Sequence, residues 1–129
     1  MTRPNDPRKY VWDALQSAKL ATQFAAGHSF EHYAHDEFLQ AAVERKLEIV
    51  GEALSQLSRE DPVFAARIPE LRAIVAFRNV LAHGYEAVDT ERVWKVLTTD
   101  LPPLMTVLQA LLDEPWPYPA GASAPKYTE

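Results

Sequence analysis

The sequence lacks cysteine, has only four glycines among its 129 residues, and contains no long apolar run. Without cysteine the chain can form no disulfide, and it can offer neither a thiolate nucleophile nor a cysteine-ligated zinc or iron–sulfur site. No stretch approaches the roughly 18 apolar residues of a transmembrane helix, and the first residues lack the apolar core of a signal peptide. We therefore expect a cytoplasmic protein that does not enter the membrane.

The chain also lacks an excess of positive charge. Its 13 Lys and Arg residues face 18 Asp and Glu residues, which gives a net charge of -5. This balance excludes a protein that coats nucleic acid by bulk electrostatics. Any such contact must be local, and residues 67–78 offer a place for it because Arg67, Arg72 and Arg78 outnumber Glu70 there.

Apolar residues recur at helical spacing, and no segment alternates as a strand would. The spacing predicts an all-α protein with helices over residues 6–27, 36–57, 70–83 and 90–112, and a short helical turn over 29–34. Asp6, Ser29 and Asp89 are typical N-caps, whereas Gly27 and Gly84 are typical helix ends. Short connections between such helices predict an antiparallel bundle of four to five helices.

Prolines punctuate this pattern. Pro102 and Pro103 predict a kink in the last helix, because each lacks an amide donor and crowds the preceding turn. Pro62 and Pro69 bracket a connector before the third helix. Four of the ten prolines fall in residues 113–129, which we predict to be an extended tail after a helical domain over residues 1–112.

Polar groups are concentrated at the end of the third helix, in the segment RNVLAHGY. Asn79 and His83 share a helix face because they are four residues apart. Arg78 and His83 diverge by about 140° in a straight helix. They can converge only if the helix unwinds near Gly84, or if a second helix or subunit completes the site. Tyr85 shares the face of Arg78, although it could also be a buried structural phenol.

Arginine and histidine together are suited to phosphodiester chemistry. The Arg78 guanidinium matches a phosphate, and the His83 imidazole can move protons near neutral pH. The expected reaction is metal-independent cleavage of RNA through attack by its 2′-hydroxyl, to which DNA would be immune. A structural alternative is that His83 caps the helix and that Arg78 pairs with Glu48 or Glu52 of the second helix.

Three other features carry weaker predictions. His28, His32 and His35 are spaced as zinc or nickel ligands on a helix would be, but Gly27 interrupts that helix, so a solvated polar segment is the preferred interpretation. Gly51 inside the second helix indicates a close helix approach. Glu44, Glu48 and Glu52 share a face of the second helix and indicate a charged surface or a row of partners for Arg78. Trp12 and Trp94 are expected to be core or dimer anchors.

The spacing of Arg78, His83 and Tyr85 resembles the Arg-x4-His-x-Tyr signature of HepT toxins in the HEPN superfamily. The segments RKLEIVGEA, VDTERVW and DLPPL resemble the family's second and fourth helices, so the likeness covers about residues 7–112. It implies a homodimeric HEPN bundle with the motifs of two subunits facing each other. It also implies an endoribonuclease toxin with Arg78 and His83 as catalytic residues and Asn79 in support.

The resemblance further implies a toxin–antitoxin pair. The usual partner is a minimal nucleotidyltransferase antitoxin that transfers AMP from ATP to the tyrosine matching Tyr85. ATP and Mg²⁺ would belong to that partner, and cleavage itself would need no cofactor or metal. The alternative is a non-catalytic, nucleotide-binding helical subunit that docks and positions the nucleotidyltransferase.

Overall fold

A computed structural model describes residues 6–83 and 88–115, and within them every regular element is helical. The elements are α1 (Pro7–Ala25), α2 (Phe30–Ala34), α3 (Glu37–Glu60), α4 (Pro62–Ala65), α5 (Leu71–His83), α6 (Thr90–Lys95), a π-helical turn (Val96–Asp100) and α7 (Leu101–Asp113). The prediction of an all-α protein is confirmed.

The predicted capping residues begin their helices, and Asp36, which was not predicted as a cap, does so as well. The side chains of Asp6, Ser29 and Asp36 accept hydrogen bonds from backbone amides in the first turns of α1, α2 and α3, each at 3.0 Å. Asp89 does the same for α6. After α1, Gly27 adopts a φ of +82°, which lets the chain reverse where a residue with a side chain would be strained.

α1 lies between α3 and α7 and is antiparallel to both. The hydroxyl of Tyr10, near the start of α1, donates to the carboxylate of Glu60 at the end of α3. Arg8 donates to the carbonyl of Leu112 at the end of α7. The apolar stripes of the three helices form one core, and α5 packs against α3 at its side.

The predicted helix over residues 90–112 is helical without a break from Thr90 to Asp113, but its middle is a π-helical turn. Pro102 and Pro103 have no N–H, so the carbonyls of Thr98 and Thr99 cannot receive the usual α-helical bonds. The chain widens into a π-helical turn just before them, and the amide of Leu101 donates to the carbonyl of Val96, five residues back. The prolines therefore change the helix type in the turn that precedes them.

Two smaller differences concern the connector between α3 and α5. It contains the one-turn helix α4, capped by Asp61, which the sequence pattern did not predict. α5 begins at Leu71 instead of residue 70, and Pro69 lies in a turn before it. In the described part of the chain no helix is long and apolar enough to span a membrane. The division into a domain over 1–112 and a tail stays a prediction, because residues 116–129 lie outside the described part.

Candidate active site

The segment that carries the polar motif is helical through His83. α5 buries Leu71, Ile74, Phe77 and Leu81 toward the core. These residues are spaced by three or four, so one stripe of α5 attaches it to the bundle and the rest faces outward. The motif residues Arg78, Asn79 and His83 therefore sit on a helix whose orientation is set by packing against α3.

α3 and α5 approach each other closely at Gly51. A Cβ atom added to Gly51 would lie 2.2 Å from Arg78 Cβ and 2.7 Å from Arg78 Cγ. It would also lie 3.3 Å from the carbonyl oxygen of Ile74. The predicted close helix approach is confirmed, and the stem of Arg78 rests on the bare backbone of α3.

The Arg78 guanidinium has a partner at each terminal nitrogen. Nη2 donates to Oε1 of Glu52 in an ion pair, and Nη1 donates to Oδ1 of Asn79 at 3.0 Å. Arg78 is half-buried, whereas Asn79 is exposed. Of the two carboxylates considered as partners from the sequence, the structure selects Glu52, and Glu48 pairs instead with Arg45 at 3.2 Å.

His83 is the last residue of α5 and is exposed. Because the helix does not unwind between Arg78 and His83, their side chains leave it in different directions, as the spacing predicted. Asn79 shares the face of His83 and bonds to Arg78, so it links the two positions. The predicted unwinding at Gly84, and Tyr85 itself, lie outside the described residues.

The outer face of α5 has no cover in the described part of the chain. The exposed residues of α5 are Arg72, Ala73, Ala76, Asn79, Val80, Ala82 and His83. Val80 is 40% exposed although it is apolar. A surface of alanines, Val80 and polar side chains, which includes the candidate catalytic histidine, is thus exposed on α5.

Three carboxylates follow one another along a face of α3 at four-residue intervals. Glu52 pairs with Arg78 and Glu48 with Arg45. Glu44 is half-buried, and burial, together with the charge of Glu48, raises the pKa of its carboxyl above the ordinary value of 4.5. The row thus combines a partly desolvated acid with two ion-paired ones.

The positive charge predicted around residues 67–78 is largely matched by carboxylates. Arg67 pairs with Glu114 and Arg78 pairs with Glu52, whereas Arg72 forms no ion pair within the described residues. Positive charge also comes from α6, where the guanidinium of Arg92 lies 5.3 Å from the centre of the Phe77 ring.

The three histidines near α2 do not converge. The rings of His28 and His32 stack with centroids 4.4 Å apart, and His32 bonds to Asp36 at 2.9 Å. Nδ1 of His35 instead lies 2.9 Å from the carbonyl oxygen of Glu31. Residues 6–83 and 88–115 contain no group of three potential ligands that could hold a metal ion.

The two tryptophans in the described residues differ in their roles. Trp94 packs against the core, with its ring 5.2 Å from that of the buried Tyr33. Trp12 is half-buried beside Glu52, in a shallow groove between α1 and α3. Burial raises the pKa of the Tyr33 phenol well above its ordinary value. Trp94 is therefore half-buried and packs against the core, in agreement with one of its two predicted roles.

The class of protein follows from this arrangement: an all-α bundle that presents arginine, asparagine and histidine along one outward-facing helix. The chain belongs to the ribonuclease HepT-like family, whose model matches residues 14–111. The resemblance inferred from the motif and its flanking segments is confirmed.

Individual relatives agree with this assignment. A candidate ribonuclease HepT of Thermococcus cleftensis is 32% identical over 97 residues, which cover 75% of this chain and 87% of the relative. A candidate RNase of Caldanaerobacter subterraneus subsp. tengcongensis is 30% identical over 108 residues, 84% of this chain and 96% of the relative. One from Methanocaldococcus jannaschii is 28% identical over 99 residues, 75% and 88% of the two chains. No solved structure gives a significant match.

Proposed function

We propose that the protein is a metal-independent endoribonuclease, the toxin of a toxin–antitoxin pair, acting in the cytoplasm. The observation that carries the proposal is the placement of Arg78 and His83 on α5 with Asn79 between them, in a chain of the ribonuclease HepT-like family. The names of the relatives, which refer to RNase activity, support RNA as the substrate.

The proposed reaction uses the nucleophile that RNA carries. The 2′-oxygen attacks the adjacent phosphorus and loses its proton to an imidazole, while the bond from phosphorus to the 5′-oxygen breaks and that oxygen is protonated. His83 moves these protons. Arg78 stabilises the charge that develops on the phosphoryl oxygens, and Asn79 holds the guanidinium. The products are a 2′,3′-cyclic phosphate and a 5′-hydroxyl.

A homodimer would resolve the divergence of Arg78 and His83. In one chain they leave a continuous helix in different directions, so a single copy presents only half of a converging site to a phosphate. A second copy laid against the open face of α5 would bring its own Arg78 and His83 to the same cleft.

The proposed control is modification of Tyr85 by a nucleotidyltransferase antitoxin, with ATP and Mg²⁺ supplied through that partner. An AMP group on Tyr85 would place an anion near Arg78, where an RNA phosphate should bind. Intact-mass measurement after co-expression with such a partner should show added AMP units, and the Tyr85→Phe variant should show none. An unchanged mass of the wild-type chain would contradict this control.

Cleavage itself is tested with the purified protein, RNA and a chelator of divalent metals. His83→Ala should lower the cleavage rate by about 100-fold or more, since general acid–base groups contribute on that scale. His28→Ala is the matched control, because His28 is exposed and lies outside α5. An RNA with a 2′-deoxy substitution at the cleaved position should resist the wild-type protein. If the wild-type chain leaves RNA intact and does not slow growth, the alternative of a non-catalytic partner subunit replaces the proposal.

A further inference from the structure

The contact between Glu52 and Arg78 depends on an unusual feature of α3. Gly51 has no side chain, and the stem of Arg78 occupies the space where a Cβ atom would be. The next residue along α3, Glu52, is thereby brought within reach of the guanidinium. The close approach and the ion pair are consecutive in sequence, so one short segment of α3 both admits Arg78 and holds its charged end.

The Arg78 guanidinium is bonded at both terminal nitrogens, yet some of its N–H donors remain available to a ligand. Its five N–H donors include one given to Glu52 and one given to Asn79, so donors remain for a phosphate. The Arg78 side chain is 29% exposed and that of Glu52 is 48% exposed. An ion pair so accessible to water contributes little to folding. Its main effect is to restrict the conformations of a long, flexible side chain.

We propose that Glu52 is a positioning residue that orients the Arg78 guanidinium toward the RNA phosphate, an inference that rests on the proposed ribonuclease function. Asn79 holds one terminal nitrogen from within α5, and Glu52 holds the other from α3. Together they fix the plane of the guanidinium relative to both helices. Orientation of this kind affects the rate of the chemical step more than the affinity for RNA.

α3 supplies a matched control in Glu48. It is the same residue type, one helical turn before Glu52, and its carboxylate pairs with Arg45 on α3 itself. Replacing Glu48 removes the same charge from the same region without touching Arg78. Effects of net charge near the site can therefore be separated from effects of orientation.

The kinetic test compares Glu52→Ala, Glu52→Gln and Glu48→Ala, with folding checked by circular dichroism. Glu52→Ala should lower kcat by up to about 100-fold, the scale of a small misplacement of a reacting group, with little change in KM. Glu52→Gln should retain most of the wild-type kcat, because its amide oxygen can still accept from Nη2. Glu48→Ala should leave kcat unchanged.

Four kinetic outcomes would overturn the proposal. Unchanged kcat in Glu52→Ala would show that orientation by Glu52 is dispensable. Equal loss in Glu52→Gln and Glu52→Ala, or a similar loss in Glu48→Ala, would indicate that charge is what matters. A lower KM and faster cleavage in both Glu52 variants would mean that the carboxylate competes with RNA for Arg78.

A second measurement does not depend on activity. In ¹⁵N NMR spectra, the side-chain signals that disappear in Arg78→Lys should show slow rotation about the Nη bonds in the wild type and in Glu52→Gln. In Glu52→Ala the Nη2 signals should average, whereas the Nη1 nitrogen is still held by Asn79. If the wild-type chain cleaves no RNA, the proposed function fails while these spectra still decide whether Glu52 orients Arg78. Identical Arg78 signals in wild type and Glu52→Ala would contradict the positioning role.

Discussion

α1 and α5 both pack against α3, yet they are enclosed to very different degrees. α1 is covered by α3 on one side and α7 on the other, and Val11 near its start is fully buried. α5 attaches through a single stripe and leaves its opposite face exposed, with Val80 at 40% exposure. α1 is part of the core, whereas α5 presents polar side chains at the surface. Burying those side chains without partners would cost more free energy than it contributed.

The comparison predicts that one substitution has different effects in the two helices. Val11→Ala should lower the free energy of unfolding by about 2 to 3 kcal/mol, since it removes buried methyl groups and leaves a cavity. Val80→Ala should leave the stability of the single chain nearly unchanged, because alanine also favours the helix. Urea unfolding at several protein concentrations measures both.

The concentration dependence sharpens this test. The loss in Val11→Ala should be the same at every concentration. A loss in Val80→Ala that appears only where the chain associates would mean that a second copy covers the face of α5. Equal losses in both variants at all concentrations would contradict the difference in enclosure.

The next largest effect on stability is expected at Gly51, where α5 contacts α3. Gly51→Ala should lower the free energy of unfolding by about 1 to 2 kcal/mol, because the steric cost outweighs the roughly 1 kcal/mol gain in helix propensity. The added Cβ would meet Arg78 Cβ, which is fixed to the backbone, so α5 must move. RNA cleavage should fall as well, since Arg78 is displaced.

Gly27→Ala provides the contrast. Its position has no atom within 4 Å of an added Cβ, but its φ is +82°. Strain of about 1 kcal/mol should lower stability there without affecting cleavage. Thermal unfolding and a cleavage assay on both variants separate the two causes, and a fully active Gly51→Ala would show that α5 does not depend on this approach.

The sequence was sufficient for the features that depend on local chemistry. Asp6, Ser29 and Asp89 cap helices because a side-chain oxygen satisfies amides a few residues away, whatever lies elsewhere in the chain. The π-helical turn was missed because the response of a helix to paired prolines depends on how its neighbours hold it.

The site required information that is not local. Spacing placed Glu48 and Glu52 equally well as partners of Arg78, and only the rotation and separation of α3 and α5 decide between them. Gly51 was the one indication in the sequence, since a glycine within a long helix marks a close approach. It located the contact to within a turn but could not identify which carboxylate reaches the guanidinium.

The smallest expected effect is on the pH dependence of stability at Glu44 of α3, the helix that contacts both α1 and α5. The pKa of Glu44 is raised by burial and by Glu48, so the folded state holds its proton more tightly than the unfolded chain does. Stability from this group is present at acidic pH and is lost as the pH rises above 4.5 through the folded-state pKa. Solvent screens a carboxylate that is only half-buried, so Glu44→Gln should gain no more than about 0.5 kcal/mol at neutral pH, an advantage that vanishes below the unfolded pKa. Urea unfolding across this pH range measures the difference, and Glu48→Gln should lower the Glu44 pKa in an NMR titration.

A Glu44→Gln variant less stable than wild type at neutral pH would mean that the half-buried carboxylate is stabilised by a contact stronger than its desolvation.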